Sequence, residues 1–506
     1  MRRDAGHREL VAGLAEDAES VGLVGGLVSF AGMPRAWPRP ILGPMRALPT
    51  ASLLLALVAC AAPAAVPAEA EAVDARPNLL VLVTDDQPFD ALGCAGHPIL
   101  RTPNMDALAA RGVRFTHAFV TTPICAASRA SILTGRYERS HGYTFTKPPL
   151  SQELVHETYP SLLRRAGYRV GFVGKLGVAI PPEGRAEMFD SFAPGTYPYF
   201  PAQAEGDEAP PRHLTERNVD RAIDFLAASD GRPFCLSLSF QAPHAEDDNP
   251  DQYVWPSSSD GLYAEDAIPP ADTSDPAFFE ALPEFLRTGL NRERWHWRFD
   301  TPEKRERMLR GYYRMLSGVD TGIGRLLAAL DELGLREDTV VLLIGDNGYF
   351  LGERGYAGKW TMHDRSTRVP LIVCDPRAAQ DRRARQSDAF VLNLDLAPTL
   401  LDLAGVAVPA AYQGRSLRPL LDGSDSDERG EVFTEHLWEF ERIPRSEGLR
   451  TRDWKYIRYL DHPEYEELYD LGRDPREERN LAGDAACSER LRELRERCTR
   501  AAERAG

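Results

Sequence analysis

Five apolar runs lie between residues 78 and 374 of the chain, each of a length suited to one β-strand. The first, NLLVLVT at 78–84, is continuous and shows none of the alternation of a half-exposed strand. The others are residues 168–174, 234–240, 340–345 and 369–374. Because a strand buried on both faces of a mostly parallel sheet is apolar throughout, these runs predict five central strands.

Helical patterns separate the apolar runs. They cover residues 102–111, 158–166, 214–228, 303–333 and 395–403. Strands that alternate with helices along a chain are typical of an α/β sandwich. We therefore predict an α/β core domain over residues 77–423. Within it, residues 245–300 are rich in proline, acidic and aromatic residues with little periodicity, and we interpret them as an insertion near the site.

The character of the chain changes after residue 423. Runs at 431–438 and 455–460 predict short antiparallel strands. A charged helix is expected over residues 489–503, with Ser488 as its N-cap. Residues 424–506 are thus predicted to form a small α+β subdomain.

The first 76 residues are predicted to be a leader. Arg46 precedes a short apolar run at 53–60, and alanine, proline and glutamate follow it. This pattern is typical of a secretory signal and a flexible tether, and the run is too short to span a bilayer. Its end, LVAC, resembles a bacterial lipobox. We expect export to the periplasm or cell surface, with either a lipid anchor at Cys60 or plain cleavage near Ala62.

Composition excludes several classes of function. The chain has 60 Lys+Arg against 76 Asp+Glu, a formal net charge of −16. The basic residues are scattered, so no nucleic-acid partner is expected. The seven cysteines are dispersed and form no CxxC pair, which argues against a disulfide scaffold or a zinc site. The sequence also lacks the P-loop, HExxH and GxSxG motifs.

Polar residues follow four of the predicted strands where each strand ends. They are Asp85 and Asp86, Lys175, His244, and Asp346 and Asn347. In open α/β sheets, ligands bind outside the carboxyl ends of the strands. Carboxylate and amide oxygens suit Ca²⁺ or Mg²⁺ better than zinc, and lysine and histidine beside them suit an anionic substrate. Each residue alone also fits a turn or a helix cap, but the four together predict a metal and anion site.

The sharpest local motif is PICAASRASILTGR at residues 123–136. Cys125 is expected just before a helix N-terminus, with Ser128 near the cap. A helix N-terminus favours anions, and Arg129 adds a guanidinium. Cys125 is therefore either a small buried apolar residue or a nucleophile or its precursor.

This motif resembles the signature of the sulfatase family, within the alkaline-phosphatase-like superfamily. The segments RPNLLVLVTDDQ, TPNMDALAARGVRFTHAFV, GDNGYFLGERGYAGKW, TRVPLIV and ELYDLGRDPREERNLA also resemble family segments, in family order. The resemblance covers about residues 77–484. It implies an alkaline-phosphatase-like α/β sandwich with a large, mostly parallel central sheet and a small C-terminal α+β subdomain.

The resemblance further implies a sulfuric ester hydrolase whose cysteine is oxidised to formylglycine by a maturation enzyme. One hydroxyl of the hydrated aldehyde attacks sulfur, and the other later expels sulfate. By motif, the implied Ca²⁺ ligands are Asp85, Asp86, Cys125, Asp346 and Asn347. The implied catalytic residues are Cys125, Arg129, Lys175, His244 and Lys359, of which the last three would bind the sulfate.

The sequence departs from the family pattern at two places. Many members have Gly-Lys-Trp-His where this chain has Gly-Lys-Leu-Gly at 174–177, so a histidine expected to contact the diol is absent. His97 and His141 are candidates to replace it. Ala127 stands where proline is commonest, which bears on recognition by the maturation enzyme.

A sulfated carbohydrate, cut at a terminal sugar, is the expected substrate. The insertion offers three tryptophans that either stack on sugars or pin the insertion to the core: Trp255, Trp295 and Trp297. It also offers polar groups for sugar substituents: Glu246, Asp247, Asp248 and Arg298. Two alternatives remain open, a phosphodiester or phosphonate monoester hydrolase of the same superfamily and a non-catalytic lipoprotein that binds sulfated glycans.

Overall fold

The computed structural model describes residues 76–145, 149–202, 210–379, 382–424 and 429–506. The predicted signal, lipobox and Cys60 lie outside these residues. Among the described helices, none combines the length and the apolar character needed to cross a bilayer.

The described residues form fourteen strands. In chain order they are β1 (Asn78–Thr84), β2 (Val113–Phe119), β3 (Arg169–Gly174), β4 (Ser191–Pro194), β5 (Phe234–Ser239), β6 (Thr339–Gly345), β7 (Phe350–Leu351), β8 (Ala357–Gly358), β9 (Arg368–Cys374), β10 (Arg385–Leu392), β11 (Val432–His436), β12 (Ser446–Arg450), β13 (Trp454–Tyr459) and β14 (Glu466–Asp470).

The same residues form fifteen α-helices. They are α1 (Pro103–Arg111), α2 (Cys125–Thr134), α3 (Glu138–His141), α4 (Gln152–His156), α5 (Tyr159–Arg165), α6 (Pro182–Met188), α7 (Leu214–Ala227), α8 (Pro276–Glu280), α9 (Glu284–Arg287), α10 (Leu290–Arg298), α11 (Pro302–Glu332), α12 (Asp364–Thr367), α13 (Leu396–Leu403), α14 (Arg418–Leu421) and α15 (Ser488–Ala505).

Eight strands form the central sheet, in the order β10-β2-β9-β6-β1-β5-β3-β4. Only β9 runs against its neighbours, so the sheet is mostly parallel, as predicted. All five predicted strands are confirmed as β1, β3, β5, β6 and β9. The pattern missed β2, β4 and β10, because polar and partly exposed residues interrupt their apolar character.

The two faces of the sheet pack into two separate hydrophobic clusters. In β1, Leu80 and Leu82 belong to one cluster, and Leu79, Val81 and Val83 to the other. The first cluster includes residues of α1, α7 and α11, and the second includes residues of α2, α5 and α13. Burial on both faces explains why the run is apolar throughout.

The insertion is more regular than its sequence indicates. It contains three short helices, α8 to α10, which the lack of apolar periodicity had hidden. Buried residues Tyr253, Tyr263 and Ile268 join the same cluster as Leu80. The insertion thereby supplies part of the apolar cover on that face of the sheet.

A separate antiparallel sheet, β11-β12-β13-β14, lies near the C-terminus. Helix α15 packs on it through Leu494 and Cys498, against Leu449 and Tyr456. The N-cap prediction was wrong by one residue. Cys487 occupies that position, and Ser488 is already helical at the first position of α15.

Candidate active site

The strand register brings the predicted polar residues to one edge of the central sheet. Thr84 of β1 pairs with Gly345 of β6, so the residues that follow, Asp85 and Asp346, start side by side. On the other side, Gly174 of β3 pairs with Ser239 of β5. The backbone N–H of Lys175 donates to the Ser239 carbonyl at 2.9 Å, which fixes where the lysine side chain begins.

Asp86 has an unusual backbone conformation for a residue other than glycine, with φ of 58°. Side chains of an extended strand alternate between the two faces. The left-handed turn at Asp86 breaks this alternation. As a result, oxygen atoms of Asp85 and Asp86 and a ring nitrogen of His244 lie within 4.8 Å of one another.

Helix α2 begins differently from the prediction. Cys125 is its first helical residue rather than the residue before it, and Ile124 is the N-cap without a side-chain hydrogen bond. Ser128 therefore does not cap the helix. Its Oγ instead accepts a hydrogen bond from Asn393 Nδ2 at 2.9 Å, which ties α2 to the residues that precede α13.

Arg129 lies one helical turn after Cys125 and joins three parts of the site. Its Nε donates to Asp346 Oδ2 at 2.8 Å, and its Nη1 donates to the Lys175 carbonyl at 2.6 Å and to the hydroxyl of Ser239. The Cys125 thiol interacts electrostatically with Arg129, Lys175 and Lys359. The start of α2 thus presents Cys125 to three positive charges.

Two lysines and one histidine face the aspartates. Lys175 Nζ donates to Asp85 Oδ2 at 2.5 Å, and Lys359 Nζ donates to Asp86 Oδ1 at 2.6 Å. His244 Nε2 lies 3.7 Å from Asp86 Oδ2. All nine residues predicted for the site are therefore brought together. We call these residues, except Cys125, the strand-end cluster.

Lys359 reaches the cluster from the turn after β8. The preceding Gly358 has φ of 153°, and a Cβ there would lie 2.1 Å from Asn291 Oδ1. Asn291 Nδ2 in turn donates to the Lys359 carbonyl at 2.8 Å. Glycine is required at this point, because any side chain would displace the residue that holds Lys359 in place.

His244 is oriented by groups that the sequence did not indicate. Its Nδ1 lies 2.7 Å from the Ala245 carbonyl, and the Tyr197 hydroxyl also approaches this nitrogen. An Nδ1–H that donates to the carbonyl leaves Nε2 free to accept on the side of Asp86. Tyr197 belongs to an irregular segment without a motif, so no sequence signal marks it.

Burial and neighbouring charges shift the pKa values of the cluster. Burial, with a contribution from Asp85, raises the pKa of Asp346 to about 6. Burial would also raise the pKa of Asp85, but the charges of Lys175, His244, Lys359 and Arg129 outweigh it and lower that pKa. Burial lowers the pKa of His244 to about 4, although Asp86 and Asp85 oppose this shift.

The donor set fits an oxygen-ligated divalent cation. Asp85 Oδ1 and Asn347 Oδ1 are buried oxygen atoms without a hydrogen-bond partner, a costly state unless a cation binds them. Three carboxylates balance three cationic side chains in the cluster. A divalent cation would therefore give the site the net positive charge that an anionic substrate requires.

A side chain at the position of the missing histidine would displace Arg129. Gly177 has φ of 68°, and a Cβ there would lie 2.8 Å from Arg129 Cδ. The two proposed replacements are engaged elsewhere. His97 Nδ1 accepts from Leu100 N at 2.9 Å, and His141 lies 3.1 Å from Ser131 Oγ through Nε2. These contacts therefore do not support either His97 or His141 as a replacement for the missing histidine.

Two tryptophans of the insertion have a face covered by an arginine. Arg314 lies over Trp255, with its Cζ 4.7 Å from the ring centroid, and Arg292 lies over Trp295 at 3.9 Å. These contacts favour the interpretation in which both rings hold the insertion in place.

Comparison with known families covers most of the chain. Residues 77–406 match the family model described as Sulfatase, and residues 352–504 match the one described as N-sulphoglucosamine sulphohydrolase, C-terminal. A curated relative, the N-acetylglucosamine-6-O-sulfatase of Bacteroides thetaiotaomicron, is 28% identical over 493 residues, covering 83% of this chain and 85% of that protein.

Solved structures share the fold. One, in complex with its substrate D-glucosamine-2-N,6-O-disulfate, matches with a TM-score of 0.72 and 26% identity, over 85% of this chain and 98% of that one. The phosphonate monoester hydrolase of Agrobacterium radiobacter matches with a TM-score of 0.70 and 23% identity, over 85% and 96%. The second likeness concerns the fold alone.

Proposed function

The chain belongs to the sulfatase family and is a sulfuric ester hydrolase; we propose that its substrate is a sulfated carbohydrate and that residue 125, as formylglycine, is its nucleophile. The observation that carries this proposal is the convergence of three cationic side chains on Cys125 at the edge of the sheet. A buried thiol with a purely structural role would have no need of them.

Residue 125 and Arg129 are proposed to act together. The hydrated aldehyde at position 125 would supply the oxygen that attacks sulfur. Arg129 would hold this group, because the two residues lie one helical turn apart on the same face of α2. Arg129 is itself fixed by Asp346 and by the Lys175 carbonyl, which supports a positioning role.

We propose that a Ca²⁺ ion binds Asp85, Asp86, Asp346, Asn347 and the modified residue 125. The unpartnered oxygens of Asp85 and Asn347 support this proposal, and so does the general dependence of the family on metal ions. Oxygen ligands favour Ca²⁺ over zinc. When bound, such an ion would stabilise negative charge on the oxygens of the sulfate group.

Lys175, His244 and Lys359 are proposed to bind the sulfate. The pKa of Lys359 is raised by Asp86 and Cys125, although burial acts in the opposite direction, so this lysine stays protonated. Lys359 would then donate a proton to the leaving oxygen of the sugar, and His244 would do so only if its Nε2 takes up a proton when the anionic substrate binds. The orientation of His244 by Ala245 supports its participation.

A carbohydrate substrate is supported by the relatives. The curated relative acts, by its name, on N-acetylglucosamine 6-O-sulfate, and the solved neighbour was captured with a disulfated glucosamine. We therefore propose a sulfated amino sugar as the first substrate to test. We also propose export through the leader, with a lipid anchor at Cys60.

The test is to produce the protein with a formylglycine-generating enzyme and to analyse the peptide that contains Cys125 by mass spectrometry. Sulfate release is then measured with N-acetylglucosamine 6-sulfate, an aryl sulfate and choline sulfate, and hydrolysis is measured with an aryl phosphodiester. The proposal expects conversion of Cys125 and the highest kcat/KM on the sugar. An unmodified cysteine, or a higher kcat/KM on the phosphodiester, would contradict it and favour the second hydrolase activity.

A further inference from the structure

A second charged cluster lies between the loop after β5 and helix α10 of the insertion. Asp247, three residues after His244, accepts hydrogen bonds from Arg294 and Arg298. Each arginine binds a different carboxylate oxygen, and the Arg294 contact measures 2.5 Å. We call Asp247, Arg294 and Arg298 the arginine cluster.

The arginine cluster adjoins the proposed sulfate-binding residues on two sides. Asp247 interacts electrostatically with His244. The same helix α10 also carries Asn291, which holds the Lys359 carbonyl. Helix α10 thus extends along the site from the His244 side to the Lys359 side.

The arginine cluster has more positive charge and more donors than its partners satisfy. Among the described residues, the ion pairs of both arginines are made with Asp247. The Nε of Arg294 and the Nε and Nη1 of Arg298 are buried and have no hydrogen-bond partner. Because buried N–H groups are nearly always paired, an added anionic acceptor would complete this cluster.

The arginine cluster is as enclosed as the sulfate-binding residues. The side chain of Asp247 is 10% exposed and that of Arg294 is 4% exposed, against 11% for His244 and 3% for Lys359. Arg294 also lies beside the segment that carries Lys359, because its Cζ is 5.0 Å from the ring centroid of Trp360, the next residue in the chain. The guanidinium of Arg298 is fully buried and serves to fix Asp247.

We propose that the arginine cluster is a specificity subsite that binds a second anionic substituent, a sulfate or a carboxylate, on the sugar that carries the scissile ester. Arg294 contacts this anion, and Asp247 and Arg298 hold the Arg294 side chain in position. The inference rests on the proposed action on carbohydrate sulfates. It adds that a doubly anionic sugar is preferred over one that carries the scissile sulfate alone.

The test uses aryl sulfate hydrolysis as the readout and three competing sugars as probes. These are the monoanionic N-acetylglucosamine 6-sulfate, the dianionic glucosamine-2-N,6-O-disulfate and a sulfated uronate. We expect the dianionic sugars to compete about tenfold better than the monoanionic one with the unchanged protein. The two dianionic probes distinguish a sulfate from a carboxylate as the preferred second anion.

The variant Arg294→Gln should abolish this preference and leave kcat/KM for the aryl sulfate within about threefold of its original value. The matched control is Arg307→Gln. This variant removes the ion pair between Arg307 and Asp251, which belongs to the same loop as Asp247. The side chain of Arg307 is 57% exposed and that of Asp251 is 73% exposed. This control should keep the full preference for the dianionic sugars.

Three results would overturn the subsite. They are equal competition by mono- and dianionic sugars, a preference that survives Arg294→Gln, and a parallel loss of aryl sulfate hydrolysis in that variant. If Arg294→Gln does not fold, the preference of the unchanged protein and that of Arg294→Lys decide the matter. A protein that hydrolyses neither the aryl sulfate nor any sugar sulfate would instead contradict the proposed function.

Discussion

Two buried charged regions of this molecule use similar residues for different purposes. The strand-end cluster lies beside Cys125. The second region, which we call the linking cluster, joins the core to the C-terminal sheet and consists of His363, Asp364, Arg450, Lys455, Glu467 and Glu477. Lys455 Nζ donates to Asp364 Oδ1 at 2.5 Å and also pairs with Glu477. Asp364 N donates to Glu477 Oε2 at 3.0 Å.

The two clusters differ in how completely their buried polar atoms are hydrogen-bonded rather than in the charges that they contain. No side-chain nitrogen or oxygen of the linking cluster is a buried atom without a partner, whereas Asp85 and Asn347 each leave one oxygen unpaired. Backbone strain does not separate the two clusters, because each contains one residue in the left-handed region, Asp86 with φ of 58° and Glu477 with φ of 60°. Unpaired oxygens therefore mark the cluster that is proposed to bind a ligand, and complete pairing marks the one that joins two parts of the fold.

The largest expected effect is on activity, at Cys125 beside the strand-end cluster. Replacing Cys125 by serine should reduce turnover by about 10⁴-fold, because a sulfated serine has no second hydroxyl with which to expel sulfate. Stability should change by less than about 1 kcal/mol. Multiple-turnover kinetics and thermal unfolding measure the two effects. The control Cys374→Ser, on β9, should keep activity. Undiminished turnover by an unconverted serine would exclude residue 125 as the nucleophile.

The second largest effect is expected from metal removal, which should lower activity through the strand-end cluster. A chelator is expected to lower kcat by about 100-fold or more, and Ca²⁺ should restore activity better than Zn²⁺. Ca²⁺ should also raise the unfolding temperature of the native protein, by linkage, but not that of Asp346→Asn. Full activity of metal-free protein, verified by elemental analysis, would contradict the predicted cation.

The linking cluster should respond in the opposite way. Lys455→Met leaves Asp364 and Glu477 without their shared partner, so the free energy of unfolding should fall by about 3–5 kcal/mol. While the variant remains folded, its kcat/KM should stay within about threefold, since the strand-end cluster is untouched. The exposed pair of Arg452 and Asp388 offers the control Arg452→Gln, which should cost under about 1 kcal/mol. A large loss of activity without a loss of stability would reverse the assignment of the two clusters.

The two clusters also differ in what the sequence could predict. The strand-end residues follow apolar runs directly, so the run and the strand-end rule together predicted Asp85, Lys175 and Asp346. The linking cluster has no such marker. Asp364 meets Arg450 and Lys455 across 86 and 91 residues of chain, and only the docking of the C-terminal sheet makes them neighbours.

The same limit applies within the site. Tyr197 and Arg294 were not predicted, because each lies in a segment without apolar periodicity or a motif and acts through contacts made only in the fold. The strands β2 and β10 escaped prediction for a different reason. Both strands are partly exposed, so polar residues interrupt their apolar runs and the alternation typical of a strand is not recognisable in the sequence.

Acid should weaken the linking cluster by a smaller amount. Burial would raise the pKa of Glu467, but His363 and Arg354 hold it at about 2. A carboxyl whose pKa is lower in the folded state stabilises the fold above its unfolded pKa of about 4.3 and loses this contribution as pH falls towards 2. The contribution is about 3 kcal/mol at neutral pH. Denaturant unfolding between pH 6 and pH 3 should therefore depend less on pH in Glu467→Gln. An unchanged slope would show that Glu467 is not a source of the dependence.

The smallest effect is expected at Gly177, the position of the missing histidine, and it tests whether the contact with this glycine fixes Arg129. In Gly177→Ala the new Cβ would lie 2.8 Å from Arg129 Cδ, at a φ of 68° that favours glycine. The backbone strain should cost about 1 kcal/mol of stability. A displaced Arg129 would hold residue 125 less well, so kcat should fall by about tenfold with little change in KM. Gly142→Ala is the matched control, because that glycine has φ of 66° and nothing within 4 Å of its Cβ position. It should lose similar stability and keep its kcat. Equal kcat in both variants would mean that Arg129 tolerates the shift, and that contact with Gly177 does not set its position.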